Sequence, residues 1–430
     1  MNTTVEIFLW GKKVGILHQE LDKPYAMFEY DSDFVDSNIE IFPLKMKLSK
    51  NIYQFPLLTD APFYGLPGLV SDSLPDKFGN ELIENWLALQ GKSVNEFTAI
   101  DRLCYIGKRG MGALEYKPVI KNIEDINETV NVSKIVEFAS NILSKRKSIV
   151  LNANEKLTYS QLIQVGTSAG GARAKAIIAW NKKTNEVRSG QILLNRDFDY
   201  WIMKFDDVLK NGDYGLDDEP QYTLVEYAYY LMAKDAGINM SECRIYKDGK
   251  RNHFMSKRFD RVNGNKVHML SLGALTHINY NNPGECSYEY ASQCMKRMGL
   301  TYKEIEEFFR RMVFNVLAVN QDDHVKNTSF LMDRSGKWSL SPAYDITFSY
   351  NLSNKWLRQH QMSINNKLDN ITFNDILEAG KNMEIKKSRC IKIIEEVRNT
   401  VNNFEIYALK AGVNRKRIEE IQNILKSIRI

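Results

Sequence analysis

The sequence predicts an α+β fold in three parts: a strand-rich N-terminal subdomain, a mixed middle lobe and an all-helical C-terminal lobe. Three observations predict it. The first ~120 residues hold short β-prone runs divided by turn residues, among them "VEIFLW", "VGILHQ" and "YAMFEY". The composition shifts near residue 260, and beyond residue 285 the apolar spacing is mostly that of helices. At 430 residues and 43% apolar content, the chain is too long for one core and rich enough to bury several. The expected divisions are 1–120, 121–258 and 259–430, with a cleft between the second and third.

Taken in order, "SDSLPDKFGNELIENWLALQG" predicts a helix with Leu82, Trp86 and Leu89 on one face and Gly91 as its stop. "RGMGALEYKP" closes the first part on a strand. Residues 120–150 form a polar connector with a helical portion, "SKIVEFASNILSK". Residues 165–260 alternate strand-like runs with one helix, "LVEYAYYLMAKDAG". The helical end comprises "EYASQCMKRMG", "YKEIEEFFRRMVFNVLAVN", "ITFNDILEAGKNM" and "RKRIEEIQNILKSI".

Composition excludes several classes. No apolar run approaches the roughly 20 residues of a membrane helix, and the N-terminus lacks the basic and apolar regions of a secretory signal. Five scattered cysteines without CxxC spacing fit a reducing compartment and argue against a disulfide framework or a zinc site. A cytoplasmic protein with no membrane partner is expected. The net charge of +5 is weak for this length and permits, without demanding, an anionic ligand.

The chemistry begins at "NQDDHVKNTSFLMD", residues 320–333, where charged side chains lie between a helix ending at Asn320 and a hairpin "TSFLM–DRSG–KWSLS". Asp322 followed by Asn327 is the layout of a kinase catalytic loop, in which Asp accepts the substrate hydroxyl's proton and Asn holds magnesium. Asp345, in "SPAYDITFSY", lies eighteen residues after Asn327, where a second magnesium-binding carboxylate is expected. Alone, the first pattern is an ordinary polar turn and the second an Asx-turn. "VGTSAGGARAKA" packs Gly166, Gly170 and Gly171 among small residues, so backbone N–H groups could approach phosphates, though it matches neither GxxxxGK[ST] nor GxGxxG. "DYWIMKFDD" sets Lys204 among large apolar residues, where it must snorkel or pair, and Glu226 on the next helix is the available partner. "HFMSKRFDR" joins the lobes and offers Phe254 or Phe259 to an adenine. Each signal is weak, but their order is the one in which a kinase fold uses its parts, so a two-lobed, protein-kinase-like fold is expected.

With "GLVSDSLPDKFG", "GALEY", "SAGGARAKA", "WIMKF", "KRFDR", "NQDDHVKNTSF" and "SPAYDI", the chain resembles the HipA family, serine/threonine-kinase toxins of bacterial toxin–antitoxin pairs, from about residue 8 to 350. The resemblance implies ATP and Mg²⁺ as cofactors and phosphorylation of a protein hydroxyl, with an aminoacyl-tRNA synthetase as the suggested target. By position it makes Asp322 the catalytic base, Asn327 and Asp345 metal ligands and Lys204 the ATP lysine paired with Glu226. Gly170, Gly171, Ala172, Lys175, Lys257, Phe259, His324 and Lys326 join the nucleotide site. Ser168 falls on the family's self-phosphorylated serine, with Thr167 as a substitute acceptor. Lys257 departs from the Glu of the best-known members. The implied partners are a HipB-like helix-turn-helix antitoxin and, through it, operator DNA. The competing reading is a catalytically silent co-repressor working through that antitoxin, and an intact Asp322, Asn327, Asp345 and Lys204 argue against silence.

Overall fold

The structure is a computed structural model. It describes residues 2–119, 129–144, 161–163, 165–166, 173–192, 194–206, 208 and 221–427.

The first sheet is antiparallel: β1 (Thr4–Leu9), β2 (Lys12–His18), β3 (Met27–Tyr30), β4 (Tyr53–Gln54) and β5 (Leu114–Lys117), in the order β4-β3-β2-β1-β5. Alternation along β1 buries Val5, Ile7 and Leu9. The turn after it uses Trp10 and Gly11, both with positive φ (50° and 83°), as a two-residue hairpin requires. The helix Lys77–Leu89 starts at Asp76, whose carboxylate accepts the Gly79 N–H, and it buries Leu82 and Trp86 as the spacing predicts. A capping box of Thr98 and Asp101 starts a second helix, Ala99–Ile106.

The second sheet runs β7-β6-β8-β10-β9, from β6 (Lys175–Asn181), β7 (Glu186–Ser189), β8 (Asp199–Lys204), β9 (Cys243–Asp248) and β10 (Arg251–Lys257). The helix Tyr222–Asp235 packs against β9 and β10. A short hairpin, β11 (Arg261–Val262) and β12 (Asn265–Lys266), leads onward.

The rest is helical around a third sheet: β13 (His268–Ser271), β14 (Ser329–Met332) and β15 (Trp338–Leu340). This sheet amends the expectation of an all-helical C-terminal lobe, because the hairpin read in the same stretch pairs with β13. The helix Tyr302–Leu317 stops three residues before the predicted Asn320, since Val319 turns left-handed at φ 54°. Helices Lys387–Val401 and Phe404–Ala411 lie between the predicted Phe373–Asn382 and Arg415–Ser427. Among the described residues, no helix is long and apolar enough to cross a membrane.

The N-terminal sheet is bound to the rest by polar contacts between residues far apart in sequence. The Trp10 indole donates to Lys266 O at 2.9 Å and the Trp338 indole to Glu40 O at 3.0 Å. Asp72 accepts from both the N–H and the hydroxyl of Ser271 (2.6 and 2.9 Å). Gly68 donates to His277 Nε2 at 3.0 Å, and a Cβ on Gly68 would lie 2.0 Å from Ala274 O, so only glycine permits this approach.

Candidate active site

The strand β8 brings Lys204 to the inner end of the second sheet. Its Nζ lies 2.6 Å from Glu226 Oε1 and 2.6 Å from Asp345 Oδ1. Burial works against the ammonium charge, but Asp345 and Glu226 outweigh it and hold Lys204 well above its ordinary value, so it stays protonated. Burial also resists the Asp345 carboxylate, yet Lys204 wins and holds it low. Glu226 is 1% exposed, and burial raises it despite Lys204. Asp345 has φ 53°, a left-handed backbone that turns its carboxylate toward Lys204 and is uncommon for a non-glycine residue.

The catalytic-loop candidates follow the helix Tyr302–Leu317. The loop is held by Gln321 N–H to Ser349 O and Ser349 N–H to Val319 O, both at 3.1 Å. Asp322 keeps 43% of its side chain accessible, with His324 Nε2 3.8 Å from its Oδ1. Loss of surrounding water raises the Asp322 carboxyl, His324 and Arg173 pull it down, and Asp345 pushes it up. Asn327 Nδ2 donates to Asp322 O at 2.9 Å. Tyr344 donates to Lys326 O at 2.7 Å and bonds Ser329 Oγ, joining the segment before Asp345 to the loop.

The neighbouring aspartate has a different task. Asp323 is 4% exposed and accepts from Tyr288 Oη (2.8 Å), His360 Nδ1 (2.9 Å) and Gln361 N–H (2.7 Å). Asn315 donates to Tyr288 Oη and Asn320 to Asn315, both at 2.9 Å, extending the network into the preceding helix. Two adjacent aspartates look alike in sequence; here one is partly accessible and the other is buried and anchors the loop.

Other candidates scatter around this centre. Lys175, 2% exposed, is bonded to Asp76 Oδ2 at 3.1 Å. Lys257 pairs with Asp199 at 2.7 Å, and Phe259 packs 5.7 Å from the Tyr344 ring. Lys326 lies 5.3 Å above the Tyr280 ring, and His324 packs on the same ring. Phe254 is buried with Tyr230 and Cys243, beneath Lys204. Ser168, Thr167, Gly170, Gly171 and Ala172 lie outside the described residues. Gly166 belongs to a helical turn rather than to a phosphate-approaching loop: a Cβ there would lie 2.8 Å from Leu82 Cδ1.

Three features escaped the sequence reading. Arg173 stacks 4.3 Å over Tyr222 and its charge acts on Lys204, Glu226 and Asp322. Asp76 reaches in from the N-terminal subdomain. "KRFDR" is an anchor as well as a linker: buried Asp260 takes two bonds from Arg258 and the N–H of Gly112, while Arg261 donates to Gly110 O and Gly112 O. The Arg-x-Asp-Arg spacing signals an ion-pair cluster, but not its distant glycine partners.

Asn327 and Asp345 can each offer an oxygen to a hard cation. Among the described residues, no group of three or more His, Cys, Asp or Glu side chains forms a metal cage. The donors present suit a cation that brings ligands with it, as magnesium does with phosphate oxygens.

Fold and site together define an α+β protein in which a strand lysine, Lys204, meets a helix carboxylate, Glu226, and a loop carboxylate, Asp345. Residues 5–117 match the model of the HipA N-terminal domain and residues 167–404 that of the HipA-like C-terminal domain. The chain belongs to the HipA family. It shares the fold of a structure from the Shewanella oneidensis MR-1 toxin–antitoxin system, HipA, HipB and its operator DNA. The TM-score is 0.63 at 14% identity, over 98% of this chain and 95% of that one. A Haemophilus influenzae (strain ATCC 51907 / DSM 11121 / KW20 / Rd) protein named "Putative kinase" is 29% identical over 160 residues, 33% of this chain. The chain spans about half the length of that curated relative, 47%. The Helicobacter pylori proinflammatory kinase CtkA matches 51% of this chain and 92% of its own at 13% identity, with a TM-score of 0.31, too low to bear on the fold.

Proposed function

We propose that the protein is an ATP- and Mg²⁺-dependent serine/threonine-protein kinase, the toxin of a toxin–antitoxin pair. Residues 1–120 serve as the N-terminal subdomain, 121–258 as the nucleotide lobe and 259–430 as the catalytic lobe. The observation that carries the reading is the Lys204 ammonium held between Glu226 and Asp345 at 2.6 Å each. A lysine on the third strand of such a sheet, paired with a carboxylate from the next helix, is the phosphate-binding arrangement of protein kinases.

Lys204 orients the α/β-phosphates, and Glu226 keeps its ammonium aimed and protonated. Asn327 and Asp345 would hold magnesium, which would supply positive charge against the charge that develops on the transferred phosphoryl group. Lys204 occupies the Asp345 carboxylate here as the cation beside it. Asp322, held above the ordinary carboxylate range, accepts the proton of the substrate hydroxyl. Asn327 fixes the backbone of Asp322 and Asp323 anchors the loop beneath it.

The cytoplasmic location, a HipB-like helix-turn-helix antitoxin, operator DNA reached through it and an aminoacyl-tRNA synthetase as target belong to the same proposal. So does inhibitory autophosphorylation at Ser168. The basic residues near 416 favour indirect DNA contact, since Arg415 and Arg417 are already paired with Glu405 and Glu420. The test is incubation of the chain with labelled ATP, Mg²⁺ and a host lysate, followed by mass spectrometry of phosphopeptides. Phosphoserine or phosphothreonine on a target and on residue 167 or 168, absent with Asp322→Asn, is the expected result. No transfer by the wild-type chain would overturn the reading and leave the silent co-repressor.

A further inference from the structure

We infer that Asp76 of the N-terminal subdomain is a positioning residue for Lys175, and through it for the phosphate end of the nucleotide site. The inference rests on the nucleotide-binding reading above. The two oxygens of this carboxylate have different work. Oδ1 accepts the Gly79 N–H at 2.6 Å and starts the helix Lys77–Leu89; Oδ2 faces Lys175 Nζ at 3.1 Å. Both side chains are 3–4% exposed.

The place of Lys175 gives the pair its meaning. In the antiparallel β6–β8 ladder Lys175 lies opposite Lys204, so the two lysines project from one face of the sheet. The Lys175 charge acts on Asp345, and the Lys326 charge acts on Asp76. One carboxylate from the N-terminal subdomain therefore stands where the first strand of the nucleotide sheet and the catalytic loop converge.

A buried ammonium beside a second ammonium is unfavourable unless a counter-charge holds it. Lysine is also a point charge on a flexible stem, so a fixed partner decides where that charge stands. Asp76 is itself fixed by its cap bond to Gly79. The N-terminal subdomain thus sets the position of a cation at the phosphate site rather than only leaning on the lobes.

Asp76→Asn is a clean test, because asparagine caps a helix as well as aspartate does while removing the charge. Calorimetric titration of the full chain with Mg-ATP and with adenosine separates the roles. A phosphate-directed lysine that has lost its position should weaken Mg-ATP about 10- to 100-fold and leave adenosine unchanged. Thr98→Ala, which removes another cap in the same subdomain, should lower Tm without altering the ratio of the two affinities. Where Asp76→Asn folds poorly, the double variant Asp76→Asn/Lys175→Met removes both charges of the buried pair, and its Mg-ATP loss should equal that of Lys175→Met alone. Unchanged Mg-ATP binding in Asp76→Asn, parallel loss of both ligands, or a double variant weaker than Lys175→Met overturns the inference. A wild-type chain that binds adenosine and Mg-ATP equally, or neither, overturns the nucleotide-binding reading itself.

Discussion

Asn327 Nδ2 donates to the main-chain carbonyl of Asp322 at 2.9 Å, so two residues five apart in sequence close one loop. The bond uses the amide nitrogen of Asn327 and the main chain of Asp322, and the Asp322 side chain stays 43% accessible. Asp322→Asn should leave this backbone contact intact and still abolish phosphoryl transfer. The expected loss is roughly 10²–10⁴-fold, the range for a positioned general base. Mg-ATP binding should be retained. Transfer at the wild-type rate in a phosphopeptide assay would remove Asp322 from the catalytic role.

Asp345→Asn should weaken Mg-ATP more than adenosine. Asparagine tolerates the left-handed backbone at φ 53°, so the change removes charge without adding strain. Lys204 should also lose part of what keeps it protonated. Equal losses for the two ligands in calorimetry would place Asp345 outside the metal site.

Asp323→Ala should destabilise the fold by about 3–5 kcal/mol, the cost of removing one partner from a buried charged network. Tyr288, His360 and the Gln361 N–H would all lose their acceptor. Urea unfolding measures this, and a change within 1 kcal/mol (about fivefold in the folded ratio) would deny Asp323 its anchoring role.

Mild acid should loosen the third sheet. Burial pushes His268 and His277 down to about 3 from 6.5. Between pH 6.5 and 3 the unfolded chain binds protons that the folded chain does not, so stability falls as pH falls through that window. For fully buried His268 the loss by pH 4.5 is about 2–3 kcal/mol. Asp76, Glu226 and Asp322, held high, act in the opposite sense. The difference between wild type and His268→Phe isolates the histidine: the variant's Tm should fall less between pH 7 and pH 4.5. Identical slopes would refute the assignment.

What the sequence made legible depended on local contrast. A lysine between Trp201, Ile202, Met203 and Phe205 stands out because such a strand offers it no water, and Glu226 follows on the next helix. The hairpin after Asn327 is legible from the "DRSG" turn, where Asp333 accepts from Ser335 and Lys337. Contacts across long separations left no such mark. Asp76 and Lys175 are 99 residues apart, and Gly112 is 148 from Asp260. Asp323 reads like Asp322 because burial is decided by His360 and Tyr288, which no local pattern ties to it.

The tethers that bind the N-terminal sheet to residues 260–340 also bear on synthesis. A ribosome releases residues 1–117 early, and their five strands can pair among themselves. Trp10 finds its acceptor only when Lys266 emerges, Glu40 its donor when Trp338 does, and Lys204 its second carboxylate when Asp345 does. The tethers and the Lys204 centre are therefore completed only as residues 266–345 emerge, late in translation. A product truncated by a premature stop before residue 345 lacks that second carboxylate, so broken messages yield chains in which the Lys204 centre is never completed.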